Sequence, residues 1–138
     1  MASSFLGTYD PKQVTLSLSG INISGFGDGT FITIARTDNE IYKLHVGAHG
    51  ESARTKNNNS TGTITFMLKQ TSPSNKVLDV LKNNPVSFPV LFKDNSGSKM
   101  ICASTEAWVG TDPDVERGDE ESMIEWVITC SDLLKSHL

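Results

Sequence analysis

The chain is poor in the residues that most chemistry needs. It has two cysteines, Cys102 and Cys130, in 138 residues, far too few for a disulfide scaffold. Both fall in strand-like runs and read as buried thiols rather than as a bridge. Its three histidines, His45, His49 and His137, have no metal-ligand spacing with them, so no metal and no cofactor is expected. No stretch approaches the roughly 20 apolar residues of a membrane helix, so no membrane anchor is expected. Residues 1–7 show neither a basic start nor an apolar run, so no signal peptide is read, and the sequons at Asn22, Asn58 and Asn59 are expected to carry no glycan. Twelve lysines and arginines against sixteen acids give a net charge of −4. That is not the clustered basic surface of a nucleic-acid binder, but it does not exclude a surface that nucleic acid must pass without sticking.

Catalytic and ligand motifs fail when tested one by one. Gly25-x-Gly27-x-Gly29 leads into a strand, not a helix, and lacks the spacing and the lysine of a phosphate loop, so it reads as a turn. Asp112, Asp114, Glu116, Asp119, Glu120 and Glu121 suggest a calcium loop. The EF-hand pattern requires glycine where Arg117 stands and glutamate where Met123 stands. A solvated acidic loop, or one facing a basic patch on a partner, is the better reading. Nothing favours a Cys–His nucleophile pair, and no enzyme is expected.

What is present is strand signal. Val14, Leu16 and Leu18 alternate with Thr15, Ser17 and Ser19, and further strands are read at residues 21–23, 31–35, 41–46, 61–68, 88–92, 99–109 and 123–129. Asp94-Asn95-Ser96-Gly97 reads as a hairpin turn. Ser72-Pro73 marks a helix start, Val77, Leu78 and Leu81 share one face, and Asn83-Asn84-Pro85 stops it. At about ten residues that helix needs a sheet to pack on. The expected fold is mainly β, a single-domain two-sheet sandwich or half-barrel with one α-helix.

Between two of these strands lies a long polar segment, residues 47–59, with no apolar side chain larger than alanine. Hairpin loops usually run about 2–5 residues, and structureless loops beyond roughly 12 are functional or disordered. The segment is expected to be an arm that is ordered only by another molecule. Two rows of hydroxyls, Thr15/Ser17/Ser19 and Thr61/Thr63/Thr65, lie opposite apolar rows and suggest smooth, uncharged, hydrated walls. Few charges and no proline guard the terminal strands, which suggests edges closed by neighbouring copies. Trp108 and Trp126 are candidates for core packing or for an interface.

A run of motifs carries a resemblance over about 110 residues. It includes Leu18-Ser19-Gly20 with Ser24-Gly25-Phe26, Val46-Gly47-Ala48-x-Gly50-Glu51, and Arg54-x-x-Asn57-Asn58-Asn59-Ser60-x-Gly62-x-Ile64-Thr65. It continues through Gln70-Thr71-Ser72-Pro73-Ser74-Asn75, Phe88-Pro89, Lys93-Asp94, Ala107-Trp108, Pro113-Asp114-Val115-Glu116 and Glu125-Trp126. Together these resemble the tail tube proteins of contractile-tailed bacteriophages. His49 departs from the acidic residue of the pattern, and residues 131–138 match nothing in it.

The resemblance implies a structural virion protein made in the host bacterial cytoplasm. Its hexameric rings would stack into the inner tail tube, with sheets from neighbouring copies joining into one barrel around the lumen. Implied partners are further copies of the chain, the sheath, baseplate or initiator and terminator proteins, and the tape measure protein and phage DNA that pass through without specific binding. Inter-ring contacts would come from Gly47, His49, Gly50, Glu51, Arg54, Lys56, Asn57, Asn58 and Asn59. Thr15, Ser17, Ser19, Thr61, Thr63 and Thr65 would face the lumen, and Trp108, Asp114, Glu116 and Trp126 would form interfaces. The alternative is a monomeric, lectin-like sandwich that presents the polar segment and Trp108 to a ligand.

Overall fold

The computed structural model describes residues 6–96 and 99–137. Gly97 of the expected hairpin turn lies outside them. A 3-10 turn (Pro11–Gln13) leads into β1 (Val14–Leu18), β2 (Ile21–Asn22), β3 (Ile32–Arg36), β4 (Tyr42–Val46), β5 (Ser52–Lys56) and β6 (Gly62–Lys69). Helix α1 (Ser74–Asn83) is followed by β7 (Phe88–Asp94), β8 (Met100–Thr111), β9 (Met123–Cys130) and β10 (Leu134–His137).

Eight strands form one sheet in the order β2-β1-β7-β8-β9-β6-β3, with β10 also on β8; β4 and β5 form a separate pair. The reason the large sheet behaves as a sandwich is β8. Its first half pairs with β7 on one side and β10 on the other, whereas its second half, from Ala107 onward, pairs with β9. One long strand therefore belongs to two layers: β2-β1-β7-β8-β10 and β8-β9-β6-β3. Leu16 and Leu18 of the first layer share a single core with Ile64, Phe66, Leu68, Trp126 and Ile128 of the second, so the sheet folds over onto itself. The expected two-layer β fold with one helix stands. Its two walls are one hydrogen-bonded sheet, and the second sheet proper is the small β4-β5 hairpin.

Strict alternation produces this core. Along β6 every second residue is buried, from Gly62 to Leu68, and β9 repeats the pattern from Ile124 to Cys130. Each inward Leu, Ile or Phe contributes about 1.5–3 kcal/mol on burial. Cys102 and Cys130 are free thiols wholly buried in the core, and burial raises both pKa values. Gly62 has no room for a side chain: a Cβ there would sit 2.7 Å from the Ala35 carbonyl oxygen and clash with Leu133.

The helix forms where expected, one residue later at its start. The Ser72 hydroxyl accepts the Ser74 N–H at 3.2 Å and donates to the Ser24 carbonyl at 2.6 Å. It thus ties the helix start to the glycine-rich turn instead of capping conventionally. Leu78 is fully buried and Leu81 packs beside it. Trp126, offered above as an interface residue, is 2% exposed, and its indole N–H donates to Asn75 Oδ1 of α1 at 3.0 Å. It is a core residue that pins the helix to the sheet.

Candidate functional site

The segment expected to be structureless is half of a hairpin. Residues 47–51 form a turn, with the Gly47 N–H on the Glu51 carbonyl at 2.7 Å and Gly50 at φ 82°. Ser52–Lys56 then pairs back along Tyr42–Val46, Val46 opposite Ser52 and Tyr42 opposite Lys56. Every residue of both strands is exposed, so the arm stands off the body. Tyr42, Leu44 and Val46 share one face, and Leu44 and Val46 are 68% and 65% exposed. The Arg54 guanidinium lies 4.1 Å over the Tyr42 ring. An isolated two-stranded hairpin is marginal in water, and an apolar stripe on one suggests a contact surface.

Two of the three consecutive asparagines hold the base of this arm. The Asn57 amide donates to Asp38 Oδ2 at 2.8 Å and to the Glu40 carbonyl at 2.7 Å, and its backbone N–H reaches the Ile41 carbonyl at 2.8 Å. Asn59 Oδ1 accepts from the Thr61 N–H and hydroxyl, and the Asn59 carbonyl accepts from Arg36. Asn58 lines a cleft beside them. Gly47, His49, Gly50 and Glu51 form the tip, and Arg54 and Lys56 the returning strand.

The two hydroxyl rows point away from the core but lie in different layers. Thr15 and Ser17 are on β1, opposite Lys93 and Leu91. Ser19 is not in the strand: with Gly20 it forms the β1–β2 turn, both at positive φ (52° and 79°), as a two-residue hairpin loop requires. Thr63 and Thr65 are on β6, where they lie beside Ala35 and Thr33 of β3 and beside Thr129 and Val127 of β9. Thr61 precedes the strand, and its hydroxyl bonds to Asn59. The outward face of the β8-β9-β6-β3 layer therefore presents Thr33, Ala35, Thr63, Thr65, Val127, Thr129, Trp108 and Thr111, with Met67, Glu125, Lys69 and Met123 towards one end. Its central part is rich in hydroxyls and uncharged, whereas Lys69, Glu125, Asp114 and Glu116 lie on or beside it at one end.

That same layer is open at both sides. Among the described residues β3 pairs only with β6. Residues 108–111 of β8 pair with β9 but have lost β7, whose ladder stops at Phe88 opposite Ala107. Trp108, 44% exposed, sits on this second edge beside Thr129. Asp114 and Glu116 are exposed in the acidic loop. Its first carboxylate, Asp112, takes the Lys82 ammonium of α1 at 3.0 Å, which raises the lysine pKa. Its last, Glu121, accepts the Thr71 hydroxyl, which lowers its own. Among the described residues no three metal-ligating side chains converge.

One group that the sequence reading missed is Asp132. Where β8 crosses between layers it carries an extra residue, and the Thr105 and Glu106 N–H groups lose their ladder partners. Asp132 Oδ1 accepts from the Thr105 N–H at 3.1 Å, the Glu106 N–H at 3.2 Å and the Ser104 hydroxyl at 2.7 Å, and Oδ2 accepts from the Thr105 hydroxyl. The Thr105 and Ser104 hydroxyls hold its pKa down to about 2. The chain then turns through Leu133, whose N–H meets the Ser60 carbonyl at 2.7 Å, into β10. Residues 131–138, unmatched in the sequence, thus include both a staple and an edge strand.

Among the described residues the molecule thus combines open strand edges with a projecting arm. No protein-family model matches the chain. The chain is 31% identical, over 143 aligned residues covering 94% of it and 82% of the relative, to structural protein ORF10 of Pseudomonas phage KPP10. It belongs to that family of phage structural proteins. Its fold resembles the tube-terminating cap of the anti-feeding prophage (TM-score 0.64, 9% identity, 100% of this chain and 97% of that one). It also resembles a chain of the sheath–tube complex of an extracellular contractile injection system (0.63, 9%, 95% and 93%). A chain of that system's sheath/tube terminator is similar too (0.60, 10%, 98% and 99%).

Proposed function

We propose that this chain is the tail tube subunit of a contractile-tailed phage. Hexameric rings stack into the inner tube, the β8-β9-β6-β3 layers of neighbouring copies join edge to edge, and their outward faces line the bore through which DNA leaves. The observation that supports this reading is that the layer with the hydroxyl face has, among the described residues, an unpaired strand edge at each side, β3 and residues 108–111 of β8. A free strand edge is a template for pairing with another chain, and closing such edges in a ring removes them. Non-specific DNA affinity grows with each lysine or arginine that meets a phosphate, so a wall of Thr63, Thr65, Thr33 and Thr129 suits a conduit. Trp108 would be covered where β8 meets the next copy's β3. The β4-β5 arm would reach the adjacent ring with Tyr42, Leu44 and Val46. Sheath, initiator, terminator and tape measure proteins would be the partners, in the virion and, during assembly, in the host cytoplasm.

A second reading, a terminator that caps the tube, is favoured by the likeness to two terminating proteins. Immunogold labelling of contracted native particles separates the two. Label along the whole exposed tube is expected, and label confined to its end would overturn the tube assignment. The lectin-like alternative predicts a strict monomer, and membership of a phage structural family weighs against it.

A further inference from the structure

A group of cations and a group of carboxylates lie at opposite ends of the body. Arg36 closes β3 opposite Gly62, which starts β6 and faces Cys130 at the end of β9. At this end a cleft of about 520 Å³ lies between the arm base and β10, lined among others by Arg36, Lys56, Lys135, Ile41 and Leu134. None of these three cations makes a salt bridge among the described residues, and the buried Nε of Arg36 has no hydrogen-bond partner. Among the described residues no carboxylate lines the cleft; Asp38 and Glu40 border a separate one that shares Lys56.

The acidic loop is at the other end, between the end of β8 and Met123, which pairs with Lys69 at the far end of β6. Residues 112–121 hold six carboxylates and one arginine, and among the described residues only Asp112 of these is in an ion pair. Asp114 and Glu116 lie beside Met67, and Gly62 to Met67 of β6 spans about 16 Å at roughly 3.3 Å per residue, so the loop lies away from the cleft of its own chain. It is a good match for the cleft of another. Asp114 and Glu116 flank Val115, which is 72% exposed, much as Lys56 and Lys135 flank the exposed Ile41 and Leu134.

We infer that the acidic loop of one copy, through Asp114, Val115 and Glu116, seats in the Arg36/Lys56/Lys135 cleft of the next copy along the stacking axis. This rests on the self-assembly reading above and adds the polar contact and its direction. The contact joins two different surfaces head to tail, so repeated along the stacking axis, where no rotation closes it into a ring, it generates an open-ended stack. Complementary charge across it sets register and encounter rate, and makes stacking sensitive to salt.

The test uses the full chain at rising concentration, by analytical sedimentation and negative-stain microscopy, at about 50 and 500 mM salt. The wild type is expected to associate into rings and stacks, less readily at high salt. The double variant K56E/K135E is expected to raise the concentration needed for stacking at least tenfold, as is D114K/E116K. The four-fold variant with charges exchanged is expected to recover most of that loss. Circular dichroism checks that each variant is folded, and a misfolded one is replaced by the milder K135Q or E116Q. A wild type that stays monomeric at every concentration overturns the self-assembly reading and this inference together. Stacking of both reversal variants at wild-type concentration, or no recovery on exchange, overturns the inference alone. So does binding of a DNA oligonucleotide that is lost in K56E/K135E while stacking is unchanged, because it would assign the cleft to nucleic acid.

Discussion

Replacing Asp132 with asparagine should weaken the subunit in a way that pH reveals. The carboxylate holds two backbone N–H groups and two hydroxyls where β8 leaves one layer for the other. Hydrogen bonds to a charged group contribute about 1.5–3 kcal/mol each when well formed, but Asp132 is partly open to solvent. A pKa lowered from 3.8 to about 2 corresponds to at most about 2.4 kcal/mol, and screening by water reduces that to on the order of 1–1.5 kcal/mol. The sign follows from linkage. A carboxylate with a depressed native pKa stabilises the fold fully above its unfolded value, and that contribution fades as pH falls through the native value. Urea unfolding of dilute, monomeric D132N against wild type should therefore show a gap of about 1–1.5 kcal/mol at pH 7. The gap should begin to narrow near pH 4 and be largely gone near pH 2. D132A should cost more, about 2 kcal/mol, because it strands the Thr105 and Glu106 N–H groups. A D132N gap that keeps its size down to pH 2, or that is absent at pH 7, would refute the staple.

Gly62→Ala should lower stability by about 2–3 kcal/mol, because the new methyl meets the Ala35 carbonyl, which cannot step aside; thermal unfolding checks it. Trp126→Phe should cost about 1–2 kcal/mol through a lost indole bond and a small cavity, with a matching loss in Asn75→Ala and little further loss when the two are combined. Leu44→Ser with Val46→Ser should leave the isolated subunit within about 0.5 kcal/mol of wild type, since both side chains are already exposed. The same pair should impair tube formation seen by microscopy, and normal tubes would remove the arm's apolar face from assembly.

The body of the fold was legible because its strands have large apolar residues at period two and exposed polar turns between them. β6, β9 and α1 stood where alternation and the Ser72-Pro73 start placed them. Two strands were invisible for one reason. Ser52-Ala53-Arg54-Thr55-Lys56 and Leu134-Lys135-Ser136-His137 have both faces exposed, so no apolar alternation marks them; cross-strand hydrogen bonds alone specify them. The asparagines at 57 and 59 were noticed for their pattern, but their work at the arm base depends on Asp38, Glu40 and Thr61, which only folding brings near. Trp108 and Trp126 were indistinguishable in sequence, and their fates diverged because one sits where β7 ends and the other beneath α1. Asp132 gave no signal at all, since its partners are a bulge that local sequence does not announce.

The path of β8 has a mechanical consequence. In a sandwich whose layers touch only through side chains, one layer can slide over the other by small repacking steps. Here a single covalent strand is laced through both, so sliding would tear ladder hydrogen bonds on either side of the Thr105–Glu106 crossing. The body should therefore deform as one plate, and compliance should be concentrated in the parts outside it, the arm and the acidic loop. A stack of such units would bend at its joints and hardly at all within its bricks.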